Sequence, residues 1–159
     1  MTVTSASSRV IRGEGYYTVR VDLNTLKVTL TGGTAPSYPE TLFLFGPATE
    51  AGWDLGNFIP LTKTSNGVFQ VKGVNIDVGT ANPDDNKGNG FKFIISNSEW
   101  STEYGAKEAF DDHDGQQGYR GWELAQSSNQ FYPLLMGFGD GNYRITADLT
   151  TMTVRFEAM

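Results

Sequence analysis

Alternating apolar and polar residues run through most of the chain, and no segment combines a helical period with capping residues. Strict alternation places apolar side chains on one face of a β-strand. It predicts strands at residues 17–22, 25–30, 67–73, 90–95, 142–148 and 152–156. The continuous apolar run at 41–46 predicts a central strand, and clusters of Gly, Asn, Asp and Pro separate the segments. The pattern therefore predicts an all-β, antiparallel β-sandwich.

Two polar segments, residues 77–89 and 110–121, predict loops, and each contains a run of oxygen ligands. These runs are Asp84-Asp-Asn86 and Asp111-Asp-His-Asp-Gly115. Neither has the ligand spacing of an EF-hand. We predict no metal and no cofactor, since Asp and Asn also form ordinary turns. Calcium binding at these loops is the alternative.

Two segments 126 residues apart repeat one pattern. Residues 15–30 align with residues 141–156 without a gap, and six of the sixteen pairs are identical. The identical pairs are Gly15/Gly141, Tyr17/Tyr143, Asp22/Asp148, Leu23/Leu149, Thr25/Thr151 and Val28/Val154. The alternative is that unrelated hairpins look alike, because alternation and a turn aspartate are common. The repeat favours a closing hairpin and linker from one module at 1–36, a complete module at 37–159, and a parent protein of several modules.

Composition argues against thiol chemistry, nucleic-acid binding and a membrane span in this chain. There is no cysteine, and the one histidine, His113, has no nucleophile signature near it. The net charge is −6 with 12 lysines and arginines, so we expect no nucleic-acid partner. No apolar run approaches the length of a membrane span. We predict a non-catalytic protein, and the paired carboxylates of a glycoside hydrolase are the alternative.

Three tryptophans that lie outside the predicted alternating strands are the strongest chemical signal. Trp53 follows the apolar run at 41–46, and Trp100 follows the strand that carries Lys92. An exposed indole offers a flat apolar face to the C–H face of a sugar ring, while lysine or arginine binds the hydroxyl groups. The alternative is that the tryptophans cap the sandwich core. That alternative is stronger for Trp122, since residues 122–124 read as a short strand.

Several segments between residues 38 and 156 form a set with a characteristic order and spacing: 38–46, Gly52-Trp53, 59–62, 67–69, 90–93, Trp100 with Tyr104-Gly105, and 141–154. This set resembles the SusE/SusF-type modules, which belong to outer-membrane lipoproteins that bind starch and other glycans on Bacteroidetes. The repeat extends the resemblance to the hairpin at 15–30. The chain departs from shorter members of the family at 77–89 and 111–121.

The resemblance implies a sandwich of the immunoglobulin-like, carbohydrate-binding-module type that binds polysaccharide, with a starch-like α-glucan favoured. It also implies a lipid-anchored parent at the outer membrane of the cell surface, with other glycan-uptake proteins as further partners. In this family, tryptophans at the sandwich edge hold starch with a lysine or arginine. The ligand-binding residues implied here are Trp53, Lys92 and Trp100, followed by Tyr104, Arg120 and Trp122. A structural spacer and an accessory domain of a glycoside hydrolase are the alternative functions.

Overall fold

The computed structural model describes residues 17–54, 56–80, 87–96, 102–107 and 123–159. The chain divides into two compact units, of which the first ends at Ser37 and the second spans Tyr38–Met159. The division lies one residue beyond the predicted boundary at residue 36. No helix in the described part of the chain is long and apolar enough to cross a membrane.

The described residues of the first unit form an antiparallel hairpin. Strand β1 (Tyr17–Asp22) pairs with β2 (Lys27–Gly32) in an unbroken register that sets Val19 opposite Leu30. The Oδ1 atom of Asp22 accepts hydrogen bonds from the backbone N–H groups of Asn24 and Thr25, at 2.9 and 3.1 Å. A side-chain acceptor at the first turn position reverses the chain locally, as expected for aspartate.

Where the structure describes the second unit, its strands form two antiparallel sheets. One sheet has the strand order β11-β10-β6-β5, and the other has the order β4-β3-β7-β8-β9. Their bounds are β3 (Phe43–Phe45), β4 (Ile59–Pro60), β5 (Thr62–Ser65), β6 (Val68–Ile76), β7 (Lys92–Ile94), β8 (Glu103–Ala106), β9 (Leu124–Ala125), β10 (Gly141–Asp148) and β11 (Thr153–Ala158).

The inner faces of these two sheets share one hydrophobic core. Phe69 and Ile145 enter it from one sheet, and Leu44 and Phe93 from the other, all fully buried. Phe91 lies at the centre, where its ring centroid is 5.6 Å from those of Phe131 and Phe156. Two antiparallel sheets packed over a common core form a β-sandwich. The all-β sandwich predicted from the alternation is therefore confirmed.

Each predicted strand of the second unit overlaps an observed one, but alternation did not predict β4, β5, β8 and β9. The sequence of β5 is Thr-Lys-Thr-Ser, so it has no apolar residue to mark an inner face. Strands β4 and β9 have two residues each, which is too short to show a period. In the predicted loop 77–89, the described residues 77–80 and 87–89 form no strand.

Candidate functional site

A second, smaller apolar cluster lies on the outer face of the five-stranded sheet. Phe45 pairs with Lys92 across β3 and β7, and Ile94 pairs with Glu103 across β7 and β8. Residues directly opposite each other in antiparallel strands share a face, and faces alternate along each strand. Phe45, Lys92, Ile94 and Glu103 therefore lie on one face. Phe45 and Ile94 are fully buried there and pack with partly buried Phe58.

A tight loop brings Trp53 onto this cluster. The N–H of Gly46 donates to the carbonyl of Gly52 at 2.7 Å, which closes the loop that follows β3. Gly46 has a φ of 136°, and a Cβ there would lie 2.5 Å from the Cα of Phe91, so only glycine fits. The closure returns the chain to Phe45. The Trp53 and Phe45 rings meet edge to face with centroids 5.1 Å apart.

Lys92 lies between the rings and an acid. Its Nζ is 2.7 Å from Oε1 of Glu103, and the two side chains are only 10% and 15% exposed. The same Nζ lies 5.6 Å from the Phe45 ring centroid and 5.5 Å from the Trp53 ring, within the range of cation–π attraction. Removing one member of such a desolvated pair leaves an uncompensated charge, at a cost of about 3–5 kcal/mol. The intact pair keeps both charges compensated beside the Phe45 and Trp53 rings.

Trp53 itself remains open to solvent, at 40% exposure. The chain that follows it is held by short polar contacts. Oδ1 of Asp54 accepts from the N–H of Gly56 at 2.9 Å, and Nδ2 of Asn57 donates to the Glu50 carbonyl at 3.0 Å. The result is a supported indole with exposed polar side chains beside it in the sequence.

The structure brings together only part of the residue set implied by the family resemblance. Trp53 and Lys92 are in contact, as described above. Tyr104 lies opposite Phe93 and packs partly buried against the main core, on the other face of the sheet from Lys92. Three other implied residues lie outside the described residues and stay predictions: Trp100, Arg120 and Trp122.

Sequence reasoning did not identify Glu103 or Phe45 as neighbours of Trp53. The available signal was the alternation in β3, which places Phe45 on the face opposite Leu44. Glu103 gave no comparable signal, because its position depends on how β8 pairs with β7 across the intervening loop. The ion pair thus depends on the register between two strands, which alternation alone does not predict.

The described acidic side chains are scattered. Among the described residues, no three His, Asp or Glu side chains come close enough to hold an ion. The two runs considered for calcium, Asp84–Asn86 and Asp111–Gly115, lie outside the described residues, as does His113.

Together the fold and this site define an all-β sandwich with an ion-paired aromatic cluster on the outer face of one sheet. No protein-family model matches the sequence, and no curated protein is significantly similar to it.

Proposed function

We propose that the second unit binds polysaccharide without catalysis, with Trp53 as the flat surface on which a sugar ring stacks. The observation that carries this proposal is the combination of exposure and support at Trp53. The ring is 40% exposed, yet Phe45 holds it at 5.1 Å and Lys92 lies 5.5 Å from it. A ring fixed before binding loses little conformational entropy when a ligand stacks on it.

The chemistry of a sugar suits the surroundings of this ring. Its C–H face is apolar, and its hydroxyl groups need charged or amide partners at the edge of the platform. Lys92 and Glu103 form one polar pair at the site, and Asp54 and Asn57 follow Trp53 on exposed chain. By the resemblance, a starch-like α-glucan is the favoured ligand, and the outer surface of a bacterial outer membrane is the favoured location.

A single platform of this kind gives weak binding, because one stacked ring covers little area. Replacing Trp53 by alanine removes the surface on which the sugar stacks, and we expect a loss of about 1.5 kcal/mol, the upper value for a pair of aromatic rings. That loss corresponds to about tenfold weaker binding. Trp53→Phe keeps a flat ring and is expected to retain part of the affinity. Lys72→Ala, which removes an exposed cation on the four-stranded sheet, is the matched control and is expected to bind like the unaltered protein.

Affinity gel electrophoresis against a panel of polysaccharides that includes starch measures these differences. Circular dichroism of each variant checks that the sandwich remains folded. If the unaltered protein binds a glycan and Trp53→Ala binds it equally well, the platform lies elsewhere. If no glycan retards the protein, the spacer function replaces this proposal. Release of reducing ends from a bound glycan indicates the glycoside hydrolase alternative.

A further inference from the structure

The hairpin β1–β2 exposes a continuous apolar face. Seven apolar side chains on it are between 42% and 79% exposed. They are Tyr17, Val19, Val21, Leu23, Leu26, Val28 and Leu30. Contiguous apolar surface of this kind on a folded protein marks a contact surface.

The sequence repeat identifies what covers such a face. At an offset of 126 residues, the seven side chains correspond to Tyr143, Ile145, Ala147, Leu149, Met152, Val154 and Phe156. Six of these are at most 8% exposed in the main core, and Met152 packs partly buried against it. The cover in the second unit is the aromatic layer around Phe91, whose ring centroid is 5.6 Å from that of Phe156.

The backbone edges show the same correspondence. Strand β10 pairs with β11 on one side and with β6 on the other, where Ala147 lies opposite Phe69. In the described part of the chain, β1 pairs with β2 alone. The edge of β1 that no described strand occupies thus corresponds to the edge of β10 that β6 occupies. An unpaired strand edge is a template for another strand.

We propose that the β1–β2 hairpin docks as the closing pair of strands on an incomplete β-sandwich of the same kind as the second unit. That partner has a strand like β6, which pairs with the open edge of β1, and an aromatic inner layer, which covers Val19, Val21, Val28 and Leu30. It lacks strands equivalent to β10 and β11. A second copy of the present chain does not fit this role, because β10 already occupies the edge of its β6.

A fusion protein tests the proposal directly. Residues 38–140 are placed ahead of residues 15–159, so that Asp140 is joined to Gly15 as it is naturally joined to Gly141. The added segment is then a second-unit sandwich without its own closing hairpin. Amide hydrogen exchange of β1 and β2 is expected to become about tenfold slower or more than in the unmodified chain, because docking adds a hydrogen-bonded neighbour and a covered face.

Two further versions of the fusion control for packing. One carries Val21→Ala and Leu30→Phe, which restore the side-chain volumes found at Ala147 and Phe156. The other carries Val19→Asp and Val28→Asp, which place charges on the apolar face. The proposal requires slow exchange in the fusion or its volume-matched version, and its loss in the aspartate version. The proposal is overturned if the amides of β1 and β2 exchange as fast in the fusion and in its volume-matched version as in the unmodified chain. Equal slowing in the aspartate version also overturns it. Glycan binding plays no part in this readout.

Discussion

The hairpins β1–β2 and β10–β11 share one backbone plan and differ in what surrounds them. Each hairpin has six cross-strand pairs, and each pair in the first has its counterpart 126 residues later in the second. Tyr17/Gly32, for example, corresponds to Tyr143/Ala158. Leu26 and Met152, at the same turn position, both have a φ of 53°. Yet the apolar face is exposed in the first hairpin and buried in the second.

This difference separates the local from the long-range part of the fold. The turn is built by nearby residues, since Asp22 and Asp148 each accept hydrogen bonds from the backbone two and three residues ahead. A left-handed leucine or methionine costs about 1 kcal/mol, and both turns contain one. Burial, by contrast, depends on a second sheet. Because a lone hairpin is marginally stable, the same sequence pattern acquires most of its stability only when covered.

The largest difference between the two hairpins is expected when one apolar side chain is shortened at matching positions, Ile145 in the second and Val19 in the first. Ile145→Ala leaves a cavity in the main core and is expected to lower the free energy of unfolding of the second unit by about 2–5 kcal/mol. Val19→Ala changes an exposed side chain and is expected to change that free energy by less than about 0.5 kcal/mol. Urea titration followed by tryptophan fluorescence measures both, because all three tryptophans lie within residues 38–159.

This pair of variants is its own control, since both remove aliphatic carbons at one place in the repeat. A loss of 2 kcal/mol or so in Val19→Ala would mean that the exposed face of β1 already stabilises the second unit. The local and long-range contributions would then not be separable in this chain.

A medium effect is expected from the turn aspartates. Oδ1 of Asp148 accepts from the N–H and Oγ1 of Thr150, at 2.8 and 2.6 Å, and from the N–H of Thr151 at 3.2 Å. Asp148→Ala is expected to lower the free energy of unfolding of the second unit by about 1 kcal/mol. Asp22→Ala is expected to leave that quantity unchanged and to speed amide exchange in β1 and β2. An unchanged exchange rate there would show that Asp22 does not hold the first turn.

Alternation predicted the strands of the sandwich, and the repeat predicted the two matching hairpins. Strands and hairpin turns could be predicted because their patterns lie within short stretches of sequence. The site was predicted only in part. Trp53 and Lys92, both implied by the resemblance, lie next to each other, but sequence reasoning did not identify Glu103, and Tyr104 packs on the opposite face. Glu103 and Tyr104 are adjacent, so their faces depend on the register of β8 against β7. A one-residue shift would exchange them, and no local pattern fixes that register.

The smallest effect concerns acid titration of the same two aspartates. Burial of Asp148 raises its pKa, but hydrogen bonds from Thr150 and Thr151 outweigh that and hold the pKa below 3.8. At Asp22, the backbone N–H and side chain of Thr25, with the N–H of Asn24, lower the pKa below the same value. A lowered pKa means that the carboxylate stabilises the folded turn at pH values above its ordinary pKa. That contribution is lost as pH falls through the folded pKa.

Carboxyl titration by NMR in the unmodified chain therefore tests whether the first hairpin forms without a cover. If the turn is local, both aspartates titrate below 3.8, and amide exchange in β1 and β2 accelerates as pH falls through the pKa of Asp22, after correction for the intrinsic rate. Asp22→Asn serves as the control, since it accepts a hydrogen bond without titrating. If the pKa of Asp148 is lowered and that of Asp22 has its ordinary value, the first turn forms only when a second sheet covers the hairpin. The hairpin would then depend on long-range contacts for its turn as well as for its burial.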